Sequence, residues 1–166
     1  MGRKSVKEDK NVYFTSREAA GWTREAAAEQ LGCISADRIE KIENEKSTPH
    51  PDEVLIMAET YKNPSLCNYY CSHECPIGKE HVPEVESKEI EKITLEMLAT
   101  LNTLSEEKNR LIEITVDGRI TDDEITDFKK IREHLKQMAM AIDSMNLWIE
   151  NTIATGIMDK SMFEKR

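Results

Sequence analysis

Aromatic residues are scarce in this sequence, at 5%, and glycine and proline are sparse, with 6 and 5 among 166 residues. Sandwiches and barrels need frequent Gly/Pro turns between strands rich in aromatic and β-branched residues, so an all-β fold is excluded. Leu, Ile, Met, Ala, Glu and Lys dominate instead, the composition of helices. There is no run of 18 apolar residues, which excludes a spanning helix. No apolar stretch follows the Lys and Arg of the amino terminus, so no secretory leader is expected and the expected compartment is the cytoplasm. Thiols stay reduced there, and Cys33, Cys67, Cys71 and Cys75 therefore point to burial or metal binding rather than disulfides.

Basic charge is also in short supply. The net charge is −9, and residues 1–66 carry 10 Lys and Arg against 12 Asp and Glu, while residues 80–166 carry 12 against 19. Binding to nucleic acid draws most of its affinity from counterion release at a basic face, and the one evident basic cluster is Arg3, Lys4, Lys7 and Lys10. Catalytic machinery is absent as a pattern: no nucleophile and base, phosphate-cradling glycine loop or carboxylate pair can be located, and His50, His73, His81 and His134 are scattered. An enzyme is not expected.

Helical periodicity begins at Val12, after a charged segment without pattern. A first helix ends at Gly21. Thr23 is a capping residue for a second, Arg24 to Leu31, with Glu25 favourably placed in its first turn. Gly32 breaks the chain, and Ser35 caps a third helix whose Ile39 and Ile42 point inward. Pro49 and Pro51 open a fourth that buries Val54, Leu55, Met57, Ala58 and Tyr61, and Asn63-Pro64 opens a short helix that stops near Pro76.

The remainder carries two apolar stripes. Ile90, Met97, Leu104 and Leu111 recur every seven residues, with Ile93, Leu101 and Ile114 between them; Ile125, Phe128, Ile131, Leu135, Met138, Ile142, Met145, Ile149 and Ile153 alternate steps of three and four. The two helices, about 27 and 35 residues long, are joined by a short turn at Asp117-Gly118 and are expected to fold into an antiparallel hairpin. Two helices cannot bury both stripes, so an apolar face is left over. Dimerisation into a four-helix bundle through Ile125, Phe128, Leu135, Met138, Ile142, Met145 and Ile149 would cover it, as would folding back on the amino-terminal domain.

Gly21 to Thr23, Glu25 to Gly32, Ser35, Ile39, Ile42, Glu43, Lys46 and Pro49 carry a recognisable pattern, and residues 17–61 resemble the Cro and phage-repressor (Xre-type) helix-turn-helix regulators. In that pattern Ala28 is small where the second and third helices cross, Gly32 permits the turn, and Ile39 and Ile42 anchor the recognition helix. The resemblance implies a DNA-contacting face of Arg24, Ser35, Ala36, Asp37, Arg38 and Lys41, and, in a dimer, two such helices about 34 Å apart. The sequence departs from the family where DNA would be touched. Arg24 replaces the usual Gln, Asp37 and Glu40 sit on the reading face, Glu45 replaces a Gly, and the turn through Cys33 and Ile34 is one residue longer. Cys33 occupies what is normally a small core position.

Cys67, Cys71 and Cys75 are spaced four apart, one stripe on a helix, with His73 among them and His81 nearby. Neither zinc Cys-x-x-Cys pairs nor the common iron–sulfur spacings match. Buried reduced thiols, a structural zinc and a redox-sensing iron–sulfur centre stay open. Asp117-Gly118 through Glu124 matches the second half of a calcium loop, but Glu113 and Thr115 stand where the first half needs Asp or Asn, so calcium is not expected. A turn at Gly118 followed by a Thr121–Glu124 capping box explains the same residues.

The expected architecture is all-α: a mobile tail (1–11), a small helix-turn-helix domain (12–62), a Cys-bearing short helix and linker (63–86), a long antiparallel helical hairpin (87–158) and a tail (159–166). The expected function is a repressor-like, DNA-binding transcriptional regulator, dimeric through its carboxy-terminal helices, of the kind carried by bacteria and their mobile elements. A second class stands beside it. Asp37, Glu40, Glu43 and Glu45 with the acidic carboxy-terminal region would suit a protein-binding module that docks on a basic partner, such as a nuclease, by mimicking nucleic acid.

Overall fold

The computed structural model describes residues 10–161, which contain eight helices and no strand. These are α1 (Val12–Ala19), α2 (Arg24–Leu31), α3 (Ala36–Glu43), α4 (Pro51–Thr60), α5 (Ser65–His73), α6 (Pro76–His81), α7 (Ile90–Thr115) and α8 (Ile125–Ala154). Most of the tail expected over 1–11, and residues 162–166 of the other, lie outside the described residues; Asn11 itself caps α1. The chain divides into two compact units, one of the described residues up to Glu84 together with those from Glu150, the other of Val85–Ile149.

Side-chain caps start the first three helices. Asn11, Thr23 and Ser35 accept hydrogen bonds from the backbone N–H of Phe14, Ala26 and Arg38, each satisfying a donor that a helix start leaves open. Gly32 ends α2 at a φ of +69°, a conformation open to glycine at little cost. The core of the first unit comprises Tyr13, Ala27, Leu31, Ile34, Ile39, Ile42, Val54, Met57, Ala58, Tyr61 and Leu66.

Several details differ from the expectation. Ala27, rather than Ala28, is the fully buried small residue of α2, although Ala28 also touches the core. Cys33 is exposed, and Ile34 beside it fills the core position. Leu55 is 62% exposed, since burial of Val54, Met57 and Ala58 turns the opposite side of α4 outward. The domain does not close at residue 62. Leu66 of α5 is fully buried, Cys67, Tyr69 and Tyr70 pack on the same core, and the Tyr69 ring meets Tyr13 edge-on at 6.1 Å. Gly78, expected in a linker, lies inside α6, where a Cβ would sit 2.0 Å from the carbonyl oxygen of Cys71; only glycine allows α6 this close to α5.

Glu45 has a φ of +55°, the left-handed conformation for which the family pattern supplies glycine. A Cβ strains that backbone, so Glu45→Gly is expected to raise stability by about 1 kcal/mol, read as a higher urea midpoint at unchanged slope.

In the second unit α7 has 26 residues, while the whole of α8 has 30. Their antiparallel pairing is recorded by cross-links of opposite order: Glu107 accepts from His134 at 2.7 Å and pairs with Lys130 at 3.1 Å, and Arg110 donates to Asp127 at 2.7 Å. Ile93, Ile114, Ile131 and Ala141 are buried, whereas Leu95, Leu98, Leu101 and Ile112 of α7 are exposed. Of the residues expected at a dimer face, Ile125, Leu135 and Ile142 are exposed, and Phe128, Met138, Met145 and Ile149 are partly buried. At the turn, Gly118 has a φ of +73°, Asp117 accepts from the Arg119 N–H, and Glu124 accepts from both the N–H and the hydroxyl of Thr121. The Glu124 carboxylate thus serves as the capping-box acceptor.

Candidate nucleic-acid interface

The surface of α3 is defined by what roots its other side. Ile39 and Ile42 are buried to within 2% exposure, and Glu43 beside them is a buried carboxylate held by two arginines. It accepts from Arg17 Nε and Nη2 of α1 at 2.5 and 3.1 Å and from Arg24 Nε of α2 at 2.7 Å, while Arg17 also donates to the Trp22 carbonyl. One carboxylate therefore fixes three helices relative to one another. On the side away from Ile39 and Ile42 lie exposed Asp37, Glu40 and Lys41, a single outward stripe, with half-buried Asn44 at its end as the C-cap of α3.

The stripe is mixed in charge. Lys41 Nζ pairs with Asp37 at 2.7 Å, and Arg24 Nη1 lies 3.9 Å from Glu40. Of the six residues implied as a DNA-contacting face, Asp37 and Lys41 lie open on this stripe, while Ser35 is exposed and Ala36 half-buried at its start. Arg24 borders it with its main bond turned inward to Glu43. Arg38 departs most from its expected use. Its guanidinium makes a two-pronged contact with Glu53 at 2.8 and 2.6 Å and donates to Ser47 Oγ and the Thr48 carbonyl. All three of its nitrogens donate to the loop and cap that join α3 to α4, where Glu53 also accepts from the His50 N–H at 2.7 Å. The Arg38 hydrogen bond holds the Glu53 carboxyl below its ordinary range. Asn44 is the residue that sequence reading passed over, and its position seven after Asp37 was the available signal.

Cys67 and Cys71 lie on α5, but that helix ends at His73 and Cys75 caps the start of α6, so the three thiols do not form the expected stripe of one helix. Cys67, Cys71 and Cys75 are each half-buried, and burial pushes the Cys67 thiol up. His73 stacks on Tyr69 at 4.5 Å and 14°, with its Nε2 3.5 Å from Glu84; His81 ends α6. Among the described residues no three His, Cys, Asp or Glu side chains are arranged to hold a metal ion.

Glu74 ends α5 against the helix-turn-helix core. Its Oε2 and the Tyr13 hydroxyl are buried without a well-formed hydrogen bond, and burial holds the carboxyl above its ordinary range, with Glu45 adding to the rise and Tyr13, His73 and Lys79 opposing it. The native state therefore holds this proton more tightly than the unfolded chain does. The contribution of protonated Glu74 is present below the ordinary carboxylate range and is lost as pH rises through the elevated value. Glu74→Gln is expected to raise the urea midpoint at pH 7 and to have little effect near pH 4. A loss of stability at pH 7 would contradict this.

Residues 15–64 match the family model of a helix-turn-helix domain. No curated protein and no solved structure matches the chain. The chain thus carries an amino-terminal helix-turn-helix domain, followed by long carboxy-terminal helices, and no helix among the described residues is long and apolar enough to cross a membrane.

Proposed function

We propose that this protein is a non-enzymatic, cytoplasmic, DNA-binding transcriptional regulator of repressor-like type. The observation that carries the reading is the outward stripe Asp37, Glu40 and Lys41 on α3, with Asn44 at its C-cap, on the second helix of a matched helix-turn-helix rooted by Ile39, Ile42 and Glu43. In this motif the second helix enters the major groove and the first crosses the backbone. Arg24 and Ser35 at the starts of α2 and α3 border the stripe, where a phosphate could be held.

The same reading makes the protein a homodimer through the second unit, where exposed Leu98 and Leu101 of α7 and Leu135 and Ile142 of α8 leave apolar surface in water. A four-helix arrangement of two hairpins would cover it and would give half-sites about one DNA turn, roughly 34 Å, apart. The test is a gel-shift of the full chain against duplexes from a random pool and from the region upstream of its own coding sequence. A retarded complex that weakens steeply with salt is expected. Absence of any complex at about 50 mM salt, or capture of a protein in place of DNA, would overturn the reading.

A further inference from the structure

The solvent stripe of α3 is unusual for a groove reader in that its bonding groups at Asp37 and Glu40 are carboxylates, which accept hydrogen bonds and donate none. Both side chains are exposed, at 74% and 49%, and Glu40 touches the buried network behind it through Arg24 alone at the longer of that arginine's two contacts. Each has a cation in attendance, Lys41 at 2.7 Å from Asp37 and Arg24 at 3.9 Å from Glu40. An exposed pair four residues apart on a helix is worth little in water, so Asp37 and Lys41 part readily when a better partner arrives.

Major-groove edges differ in what they offer a carboxylate. Cytosine presents its N4 amino group, a donor, and no acceptor of its own beside it. Adenine sets the N7 acceptor next to its N6 donor, where a carboxylate meets a lone pair, and guanine presents acceptors alone. In a C·G pair the guanine O6 and N7 lie next to the cytosine donor and suit an ammonium. The Asp37–Lys41 couple therefore matches the donor-then-acceptor edge of one C·G pair.

We propose that Asp37 and Glu40 are specificity-determining residues that accept from the N4 groups of two cytosines in the operator half-site, with Lys41 donating to the guanine paired to the first. The inference rests on the DNA-binding reading above. Residues 37 and 40 are separated by about 4.5 Å along the helix, near the rise of about 3.4 Å between base pairs, which puts the two cytosines at neighbouring positions. Arg24 and Lys41 offset the repulsion that the carboxylates would meet from phosphate.

The test is selection of duplexes from a random library by the full chain at about 50 mM salt, repeated with Asp37→Asn, Glu40→Gln and, as a control on an exposed position of α2, Glu29→Gln. The wild type is expected to enrich neighbouring C·G pairs, each worth roughly tenfold in affinity against T·A. An amide both accepts and donates, which suits adenine N6 and N7. Glu40→Gln should therefore convert one selected cytosine to adenine and leave its neighbour unchanged, Asp37→Asn should convert the other, and Glu29→Gln should alter nothing. DNA retained with a motif that lacks these cytosines, or a motif that Glu40→Gln and Asp37→Asn leave unchanged, overturns this inference alone. Failure to retain any DNA overturns the regulator reading, and this one with it.

Discussion

Glu43→Ala is expected to reduce stability by about 3 to 5 kcal/mol, the largest effect of any single charge removal in the first unit. Glu43 is 5% exposed and neutralises Arg17, which is equally buried, and it also ties down Arg24. Removing it leaves the Arg17 guanidinium out of water with one neutral acceptor, the Trp22 carbonyl. A domain of this size holds only about 5 to 15 kcal/mol in all, so much of the population would unfold at 37 °C. Urea unfolding followed by circular dichroism measures the effect. The pair Arg17→Met with Glu43→Leu supplies the discriminating control, because replacing both partners removes the stranded charge and should recover most of the loss. A Glu43→Ala midpoint equal to wild type would mean that water reaches Arg17.

How much of this was legible in the sequence depends on the distance over which each feature is decided. Caps and breaks are local: Thr23, Ser35, Gly32 and Pro51 fixed the ends of α2, α3 and α4 because a side-chain oxygen, a free φ or a missing N–H acts within one turn. The inward face of α3 could be read from spacing, whereas α8 buries Ala141, Ser144 and Leu147 beside Ile131 and leaves Ile125, Leu135 and Ile142 of its expected stripe exposed. Pairings across the fold were not legible. Arg38 reads as a surface cation on a recognition helix until Glu53, fifteen residues on, is seen to grip it. Glu43 likewise read as an acidic surface residue, and nothing nearby in sequence announces Arg17. Cys33 is exposed where a core residue was expected and Ile34 is buried in its place, a difference of one position that spacing alone does not settle. The Cys spacing suggested a stripe, yet α5 ends at His73 and Cys75 caps α6, while Leu66 and Tyr69 of α5 pack on the core and Gly78 of α6 is pressed against Cys71.

Leu66→Ala is the second large effect, and it tests whether α5 belongs to the folding unit of the helix-turn-helix or hangs from it. The family match ends at residue 64, two residues before this side chain. Leu66 is nevertheless fully buried among Tyr13, Met57 and Tyr61, and the Asn63 side chain donates to Ser16 Oγ at 2.8 Å, so the connection into α5 is fastened to α1 as well. Truncating a leucine at such a site removes its transfer free energy and leaves a cavity that close-packed neighbours fill only in part, for about 2 to 5 kcal/mol. Leu55→Ala is the internal comparison. It deletes the same atoms from a side chain 62% exposed and is expected to change stability by less than about 0.5 kcal/mol. Amide hydrogen exchange on the Leu66→Ala full chain adds a spatial readout: if α5 shares one cooperative unit with α1 to α4, protection should fall together across all five helices. Faster exchange confined to α5, with α1 to α4 unchanged, would instead make the matched segment a self-sufficient domain and α5 a separately docked helix.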